Sequence, residues 1–282
     1  RSEPASQDID KWIEKYELWD HMTLFSERIR DRKLRWWTHK EHVQNKNVGG
    51  KMKGAIFAAS HGINTPHVYD IITEIENMPQ FEQLGPNFVI KPDEGFSCNN
   101  VFTMRRGVNM LDRKAWNRSE ILEVFSNTKN PSGNKKIIIE ELLINWDNYD
   151  GLPYDFKFYM FGDQVAFCHI VKDRCKDNSS PSRNWYVDEE FGPIEKQVMV
   201  TLVEDESKIE KPDCWDDLVS TAKRLGGTLN RFTRVDLYGT INGPVFGEFT
   251  STPHGGLGFT KWADRWLGNM WKGTDGVAAN DD

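Results

Sequence analysis

The C-terminal third of the chain carries two carboxylates, a guanidinium and a hydroxyl at a spacing that can bring them onto one surface. Residues 233–238 and 245–250 predict two strands, and the turn between them ends in Asn242-Gly243, which is typical of hairpins. Side chains alternate across a strand, so every second residue faces the same way. The predicted shared faces carry Arg234, Asp236 and Tyr238 on the first strand, and Phe246, Glu248 and Thr250 on the second.

These residue types suit a nucleotide-phosphate site. Magnesium binds one or two carboxylates together with phosphate oxygens, and an arginine can bind the charge that moves during phosphoryl transfer. The hairpin therefore predicts Asp236, Glu248 and Thr250 as metal ligands and Arg234 as a catalytic residue. An exposed face with ordinary cross-strand pairs explains the same pattern, so the hairpin alone leaves both interpretations open.

Composition limits the classes of protein to which the chain can belong. The 282 residues suffice for one large or two smaller domains, and a net charge of -7 argues against a protein that coats nucleic acid. No apolar run approaches the roughly 20 residues of a membrane helix. The four cysteines form no CxxC pair, so we expect reduced thiols and a cytoplasmic protein. They are Cys98, Cys168, Cys175 and Cys214.

The N-terminal part of the chain predicts helices. Apolar residues at helical spacing predict a helix over 8–30, and the basic, aromatic run 28–42 predicts a solvated face with buried tryptophan rather than a nucleic-acid patch. A short helix is predicted from Lys51 to Ser60. The pair Thr65-Pro66 has the residue types of a helix start and predicts a second helix that extends to Met78.

The middle of the chain predicts a compact lobe of strands. A buried strand, Asn87–Lys91, is followed by the loop PDEGFSCNN and by a return strand at VFTMRRG. Asn117 and Glu120 resemble a capping box for a helix that ends near Phe125. The apolar run KKIIIEELL then predicts a strand that ends in two glutamates, Glu140 and Glu141.

The next segment predicts a second hairpin, residues 154–171, with Gly162-Asp163 as its turn. One face of its first strand carries charged and polar residues, and the other is apolar. A polar loop is predicted over 172–185, and a helix from Asp213 to Leu225 is predicted to end at Gly226-Gly227. The charged face carries Asp155, Lys157 and Tyr159, and the loop contains Arg174 and Arg183.

The order of these motifs resembles the ATP-grasp superfamily, and within it the TupA-like (teichuronopeptide biosynthesis) branch. The resemblance covers about residues 27–268. The superfamily motifs are Lys51 with GINTP at 62–66, Lys91 in VIKPDEG, the hinge strand IIIEELL, the strand DFKFYMF, and Arg234, Asp236 and Glu248. The signals for the branch are Arg174 with RNWYVDEEF, and GEFTSTP at 247–253.

This resemblance implies an α+β ATP-grasp fold that holds ATP and Mg²⁺ between a small lid lobe and a larger antiparallel-sheet lobe. It implies three regions: 1–85, a lid at 86–145, and a C-terminal region at 146–282 with the metal-binding hairpin. Lys157 and Arg174 would contact the acceptor or the γ-phosphate. The implied cofactor-binding residues are Lys51, Lys91, Gly95, Ser97, Glu140, Glu141, Leu142, Leu143 and Asp155.

The sequence departs from the family pattern at two places. The phosphate loop GFSCNN contains Phe96 and Cys98, where related loops are richer in Gly and Ser, which predicts a stiffer backbone. Thr250 stands where many members have a metal-binding Asn, so one metal site is expected and a second is left open. His254, in TPHGG, is either an acceptor contact or a loop residue.

Three functions remain open at this point. The first is an ATP-dependent carboxylate–amine ligase that acts through an acyl phosphate, joining an amino acid to a uronic acid, glycan or peptide. The second is a phosphotransferase that acts on a hydroxyl of a sugar or small molecule, and the third is a nucleotide-binding module without turnover. The ligase implies two substrates, a small-molecule or glycan carboxylate and an amine, and the sequence leaves the oligomeric state open.

Overall fold

A computed structural model describes residues 23–38, 48–94, 98–128, 136–174 and 182–278. The described residues form two antiparallel sheets with helices packed on them, which is an α+β fold, as expected. One sheet has six strands and the other has five. None of the helices in the described ranges combines the length and the apolar character that a membrane crossing requires.

The six-stranded sheet forms the small lobe, with strands in the order β1-β6-β2-β3-β4-β5. Its apolar face packs against helix α4 through Ile90, Phe102, Ile121 and Ile139. The strands are β1 (Val68–Ile72), β2 (Asn87–Pro92), β3 (Phe102–Arg105), β4 (Val108–Asn109), β5 (Lys114–Ala115) and β6 (Ile137–Glu141). The helices are α3 (Phe81–Leu84), α4 (Arg118–Asn127) and a 3-10 turn at Ile75–Asn77.

The five-stranded sheet forms the large lobe, with strands in the order β11-β10-β7-β8-β9. Its strands are β7 (Asp155–Phe161), β8 (Gln164–Lys172), β9 (Arg183–Val187), β10 (Phe232–Thr240) and β11 (Gly243–Thr250). Its helices are α1 (Phe25–Trp37), α2 (Lys51–Ser60), α5 (Trp215–Leu229), α6 (Lys261–Met270) and a 3-10 turn at Pro253–Gly256.

The two faces of the large sheet have different surroundings. One face is apolar along its length and packs against α2 and α5, with Phe156, Phe158 and Leu237 at its centre. The other face is apolar only at one end, where Phe25 of α1 and Leu267 of α6 cover the strands. The rest of that second face carries the charged residues, which are themselves buried: Asp155, Lys157, Arg234 and Asp236.

The helix predicted from Thr65-Pro66 to Met78 is wrong. Residues 68–72 form β1, which pairs antiparallel with β6, and only Ile75–Asn77 is helical. The run Val-Tyr-Asp-Ile-Ile is rich in residues that favour strands, and the open edge of β6 supplies hydrogen bonds that a short helix would lack. The capping residues therefore precede a strand.

Helix α5 continues through the two glycines that were predicted to end it. It extends to Leu229, and Asn230 adopts the left-handed conformation (φ 46°, ψ 51°) that ends the helix. Gly226 lies where the helix crosses the β7–β8 turn, and a Cβ there would lie 2.3 Å from the Gly162 carbonyl oxygen. Close packing, rather than helix termination, explains this glycine.

The other boundaries differ by smaller amounts. The polar loop predicted over 172–185 is shorter on both sides, because β8 extends to Lys172 and β9 begins at Arg183. The predicted N-terminal helix lies mostly outside the described residues, and α1 starts at Phe25. The basic, aromatic run 28–42 contributes most of α1, but Trp37 is 75% exposed rather than buried.

Arg32 connects α1 to the large sheet. Its guanidinium is fully buried and donates hydrogen bonds to the carbonyl oxygens of Phe232 (2.9 Å), Ser251 (3.1 Å) and Asp275 (3.1 Å). These bonds fix the start of β10 and the chain after β11 relative to one helix. Both segments lead directly into the charged face of the sheet.

Candidate active site

The β10–β11 hairpin brings two carboxylates face to face. Asp236 lies directly opposite Glu248, and Arg234 lies opposite Thr250. A β-bulge at Gly247 shifts the register between these pairs and the turn. The prediction that Phe246 shares their face is therefore wrong, because Phe246 pairs with Leu237 and is buried in the apolar core.

Asp236 is the centre of the charged cluster. Arg234 donates to both of its carboxylate oxygens, from Nε (2.6 Å) and Nη2 (2.6 Å), and Lys157 Nζ donates to Oδ2 at 2.9 Å. Burial alone would raise the pKa of Asp236, but the two cations outweigh it and hold the pKa well below its usual range. The carboxylate is therefore ionised at any physiological pH.

The neighbouring strand β7 adds a second carboxylate between two cations. Asp155 accepts from Arg174 at 2.6 Å and lies 3.4 Å from Lys157 Nζ. Arg174 also donates to Cys98 Sγ at 3.3 Å, and Cys98 belongs to the predicted phosphate loop of the small lobe. Arg174 therefore contacts both lobes.

Two lysines and a glutamate lie near the junction of the lobes. Lys91 near the end of β2 forms an ion pair with Glu140 of β6. Lys51 is the first residue of α2, where Asp93 accepts hydrogen bonds from the backbone N–H groups of Lys51 and Met52. Burial and the nearby Lys91 lower the pKa of Lys51, although Glu248 raises it. Lys51 therefore lies near Lys91 of the small lobe and near Glu248 of the large lobe.

The end of the hinge strand, from Glu141 onward, lines a cleft of about 390 Å³. Glu141, Leu142 and Leu143 form one wall, and Thr240 and Val245 of the hairpin form the opposite one. Glu141 is not free in the cleft, because its side chain accepts from the His67 backbone N–H at 2.8 Å. Its bonding fixes the hinge to the residues before β1.

The structure places most of the predicted site residues on the elements described above, and one of them, Thr250, has a partner that was not predicted. Gly95 and Ser97 lie outside the described residues, so their role stays a prediction. Thr250 Oγ1 accepts from Arg234 Nη2 at 3.0 Å, which occupies the hydroxyl that was predicted as a metal ligand. Thr250 therefore holds the arginine in this structure.

Two residues on the charged face were absent from the predicted set: His169 and Asn184. His169 on β8 lies directly opposite Lys157, because a bulge next to Tyr159 shifts the strand pairing by one residue. A hairpin without that bulge would place Cys168 there. The histidine and Lys157 were visible in the sequence, but their pairing was not.

His254 lies beside this cluster in a strained turn. Its backbone is left-handed (φ 51°, ψ 17°), which is uncommon for a residue with a side chain, and the following Gly255 and Gly256 also have positive φ. Its partial burial and the cations Arg234 and Lys157 lower the pKa of the imidazole to about 4. A neutral imidazole is thus held next to the buried charges.

Acidification is expected to destabilise the protein through His169. Burial, which outweighs the hydrogen bond with Asn184, lowers its pKa to about 3, whereas an unfolded histidine has a pKa near 6.5. As the pH falls below about 6.5, the unfolded chain binds a proton that the folded chain does not. The free energy of unfolding then falls by up to about 1.4 kcal/mol per pH unit until the pH nears 3.

Urea unfolding of wild type and His169→Asn at several pH values between about 8 and 4.5 measures this effect. The variant should lose stability less steeply with falling pH, by about one proton. Near pH 8 both proteins should show the same slope, which is the internal control. Equal slopes at acid pH would contradict a buried neutral imidazole.

The carboxylate pair fits a magnesium ion bound together with phosphate. The described residues contain no group of three or more His, Cys, Asp or Glu side chains arranged as a metal site. Magnesium uses one or two protein carboxylates and completes its shell with water and phosphate oxygens, so Asp236 and Glu248 suffice as its protein ligands. Lys51 at the start of α2 and Lys91 on β2 are cations of the kind that suits the phosphates of such a complex.

Two antiparallel sheets with a charged cleft between them are the architecture of the ATP-grasp fold. A family profile described as TupA-like ATPgrasp matches residues 27–272, nearly the whole described chain. The chain belongs to the TupA-like ATP-grasp family. No curated protein matches it.

Solved structures with a similar fold include three ligases. VanG D-Ala:D-Ser ligase from Enterococcus faecalis shares 13% identity and a TM-score of 0.49, over 81% of this chain and 58% of that one. D-alanine–D-alanine ligase from Bacillus anthracis shares 15% and 0.46, over 74% and 59%. The ATP-grasp ligase PsnB in complex with a minimal precursor shares 15% and 0.43, over 82% and 61%. The chain thus spans about three fifths of the length of these ligases.

Proposed function

We propose that the protein is an ATP-dependent ligase that joins a carboxylate to an amine through an acyl phosphate. The observation that carries this proposal is one cluster of charges, in which a carboxylate pair and a buried arginine lie near the two lysines Lys51 and Lys91. Phosphoryl transfer relies on position and charge rather than on covalent work by the protein, and these are the groups that it needs. The TupA-like ATP-grasp family membership supports the same reaction class.

The proposed roles in nucleotide binding follow the geometry. The adenine would occupy the cleft beside Leu142 and Leu143, while Lys51 at the start of α2 and Lys91 on β2 would neutralise the phosphates. Asp236 and Glu248 would hold Mg²⁺, which supplies charge neutralisation at the β- and γ-phosphate oxygens. The loop that contains Gly95 and Ser97 would close over the phosphates.

Arg234 is the proposed stabiliser of the oxyanion that forms when the amine attacks the acyl phosphate. Its guanidinium is 8% exposed and is oriented by Asp236 and Thr250, so little reorganisation is needed as the charge develops. Preorganised donors in a site of low water content stabilise charge more than solvated donors do. This function explains why Arg234 is held from two sides.

The carboxylate substrate would bind near Lys157 and Arg174. Both cations are bound to Asp155, and a guanidinium suits bidentate capture of a second carboxylate. His254, which is presented beside them from a rigid turn, would contact the same substrate or the amine. An amino acid joined to a uronic acid, glycan or peptide is the substrate pair that we propose, as a step in polysaccharide biosynthesis.

The test is ADP release with Mg²⁺ and pools of uronic acids, amino acids and peptides, with hydroxylamine as a small universal amine. A ligase should release ADP only when a carboxylate is present, and hydroxylamine should displace phosphate from the acyl phosphate to give a hydroxamate, which is detected as its coloured complex with added Fe³⁺. Release of ADP with a hydroxyl compound alone, and no hydroxamate, would identify the phosphotransferase instead. Nucleotide binding without ADP release in every pool would favour the module without turnover.

A further inference from the structure

The proposed metal ligand Asp236 already has three hydrogen bonds from two cations. Arg234 occupies both carboxylate oxygens, and Lys157 shares Oδ2 at 2.9 Å. A metal ion that binds this carboxylate must displace at least one of them, because like charges at such distances repel strongly in a buried site. Loading of the site therefore requires a new partner for the displaced cation.

Lys157 is the more weakly held of the two cations, because it makes one hydrogen bond to Asp236 whereas Arg234 makes two. Arg234 Nη2 bonds Thr250 and lies 3.6 Å from Glu248. Lys157 lies 3.4 Å from Asp155, but that carboxylate is also bound by Arg174 at 2.6 Å. Lys157 is 6% exposed, so water offers little compensation for its ammonium. The displaced cation is expected to be Lys157.

The tautomer of His169 follows from a chain of hydrogen bonds. Asn184 Nδ2 donates to the Ser182 carbonyl oxygen at 2.8 Å, which turns Asn184 Oδ1 toward His169 Nε2, also at 2.8 Å. An amide oxygen is only an acceptor, so Nε2 carries the hydrogen and Nδ1 carries the lone pair. Nδ1 is buried and has no hydrogen-bond partner among the described residues.

A buried acceptor such as His169 Nδ1 destabilises the protein unless it receives a hydrogen bond in some state of the protein. Burial of an unpaired polar group costs about 1–3 kcal/mol, so native structures pair nearly all of them. His169 is 2% exposed, its ring stacks on Tyr186 at 4.7 Å, and its backbone lies opposite Lys157 in the sheet. Directly opposed residues have Cβ atoms about 5 Å apart, which a lysine side chain spans easily.

We propose that His169 Nδ1 accepts the ammonium group of Lys157 when Mg²⁺–nucleotide occupies Asp236. His169 is then a positioning residue: it removes a competing cation from the metal ligand and keeps Lys157 on the sheet face for the acceptor. This inference rests on the proposed role of Asp236 in metal binding. It gives the buried imidazole a partner in the loaded state.

The test compares three substitutions that separate the two ring nitrogens. His169→Asn keeps an acceptor near the Nδ1 position, His169→Gln keeps only a group near Nε2, and His169→Phe keeps the stacked ring without either. Calorimetry measures the affinity for AMP-PNP with Mg²⁺ and without metal. Thermal unfolding of each variant confirms that it is folded.

Wild type and His169→Asn should bind the magnesium complex within about twofold of each other, whereas His169→Gln and His169→Phe should bind it about tenfold more weakly. Affinity for metal-free AMP-PNP should stay the same in all four proteins. In a Lys157→Met background, His169→Phe should have no further effect, because the displaced ammonium is gone.

Two failures have different meanings. If wild type binds Mg²⁺–AMP-PNP no better than metal-free AMP-PNP, the proposed metal site is wrong and the inference falls with it. If wild type shows the metal preference but the Gln and Phe variants keep it, only the role of His169 is overturned. A loss that persists in the Lys157→Met background would equally overturn it.

Discussion

Replacement of Asp236 with asparagine is expected to reduce Mg²⁺-dependent ADP formation by roughly a thousandfold. The amide keeps the shape of the side chain but removes the charge that would hold the metal and orient Arg234. Steady-state ADP release at saturating ATP measures the loss. A folded variant that keeps its turnover would show that Asp236 is not the metal ligand.

The same substitution also affects stability, because Asp236 neutralises two buried cations. Removal of one partner from a buried ion pair typically costs about 3–5 kcal/mol, so unfolding must be measured beside activity. Glu248→Gln is the matched control: Glu248 has the same proposed metal role, but its side chain is 41% exposed. Its activity should fall steeply while its free energy of unfolding stays nearly constant.

Gly226→Ala is expected to cause a large loss of stability for the addition of a single methyl group. The new Cβ would lie 2.3 Å from the Gly162 carbonyl oxygen and 3.1 Å from Met160 Cβ, so helix α5 would have to move off the β7–β8 turn. Overpacking of a core costs about 1–3 kcal/mol and more where backbone must shift, so we expect at least 3 kcal/mol in urea unfolding.

The adjacent Gly227 is a control within the same helical turn. A Cβ at Gly227 would lie 3.3 Å from Asp163 Cβ, an exposed side chain that can yield by a few tenths of an ångström. Alanine also favours a helix over glycine by up to about 1 kcal/mol. Gly227→Ala should therefore be neutral or slightly stabilising. Equal losses at both positions would refute close packing as the reason for Gly226.

Local patterns predicted seven of the eleven strands that the described residues form. The hairpin turns at Gly162-Asp163 and Asn242-Gly243, the strand at Asn87 and the capping box at Asn117 follow from residue types within a few positions. Their order along the chain was sufficient for the family resemblance, and the family match confirms it. Which residues lie opposite each other could be predicted only where two strands pair without a bulge.

The sequence-based predictions were wrong where residues far away in the sequence determine the local structure. Residues 68–72 form a strand because β6 offers an edge some 70 residues away, and Gly226 stays helical because a hairpin turn packs against it. Lys157 and Arg234 were predicted from their residue types, but their shared contact with Asp236 depends on three-dimensional packing. The pattern of residues within one segment contains no information about partners that are distant in the sequence.

The single extra residue at Gly247 sets a parity rule for the evolution of this hairpin. If β11 lost or gained one residue between the turn and Glu248, the side chain of Glu248 would point to the face opposite to that of Asp236, although the two strands would still pair. A Cβ at Gly247 would also lie 3.0 Å from the Asp236 carbonyl oxygen. Length variation among related chains should therefore concentrate at the Ile241-Asn242 tip, where the turn can absorb it without a change of register, and an odd change within β11 should mark a chain that has lost the proposed metal site.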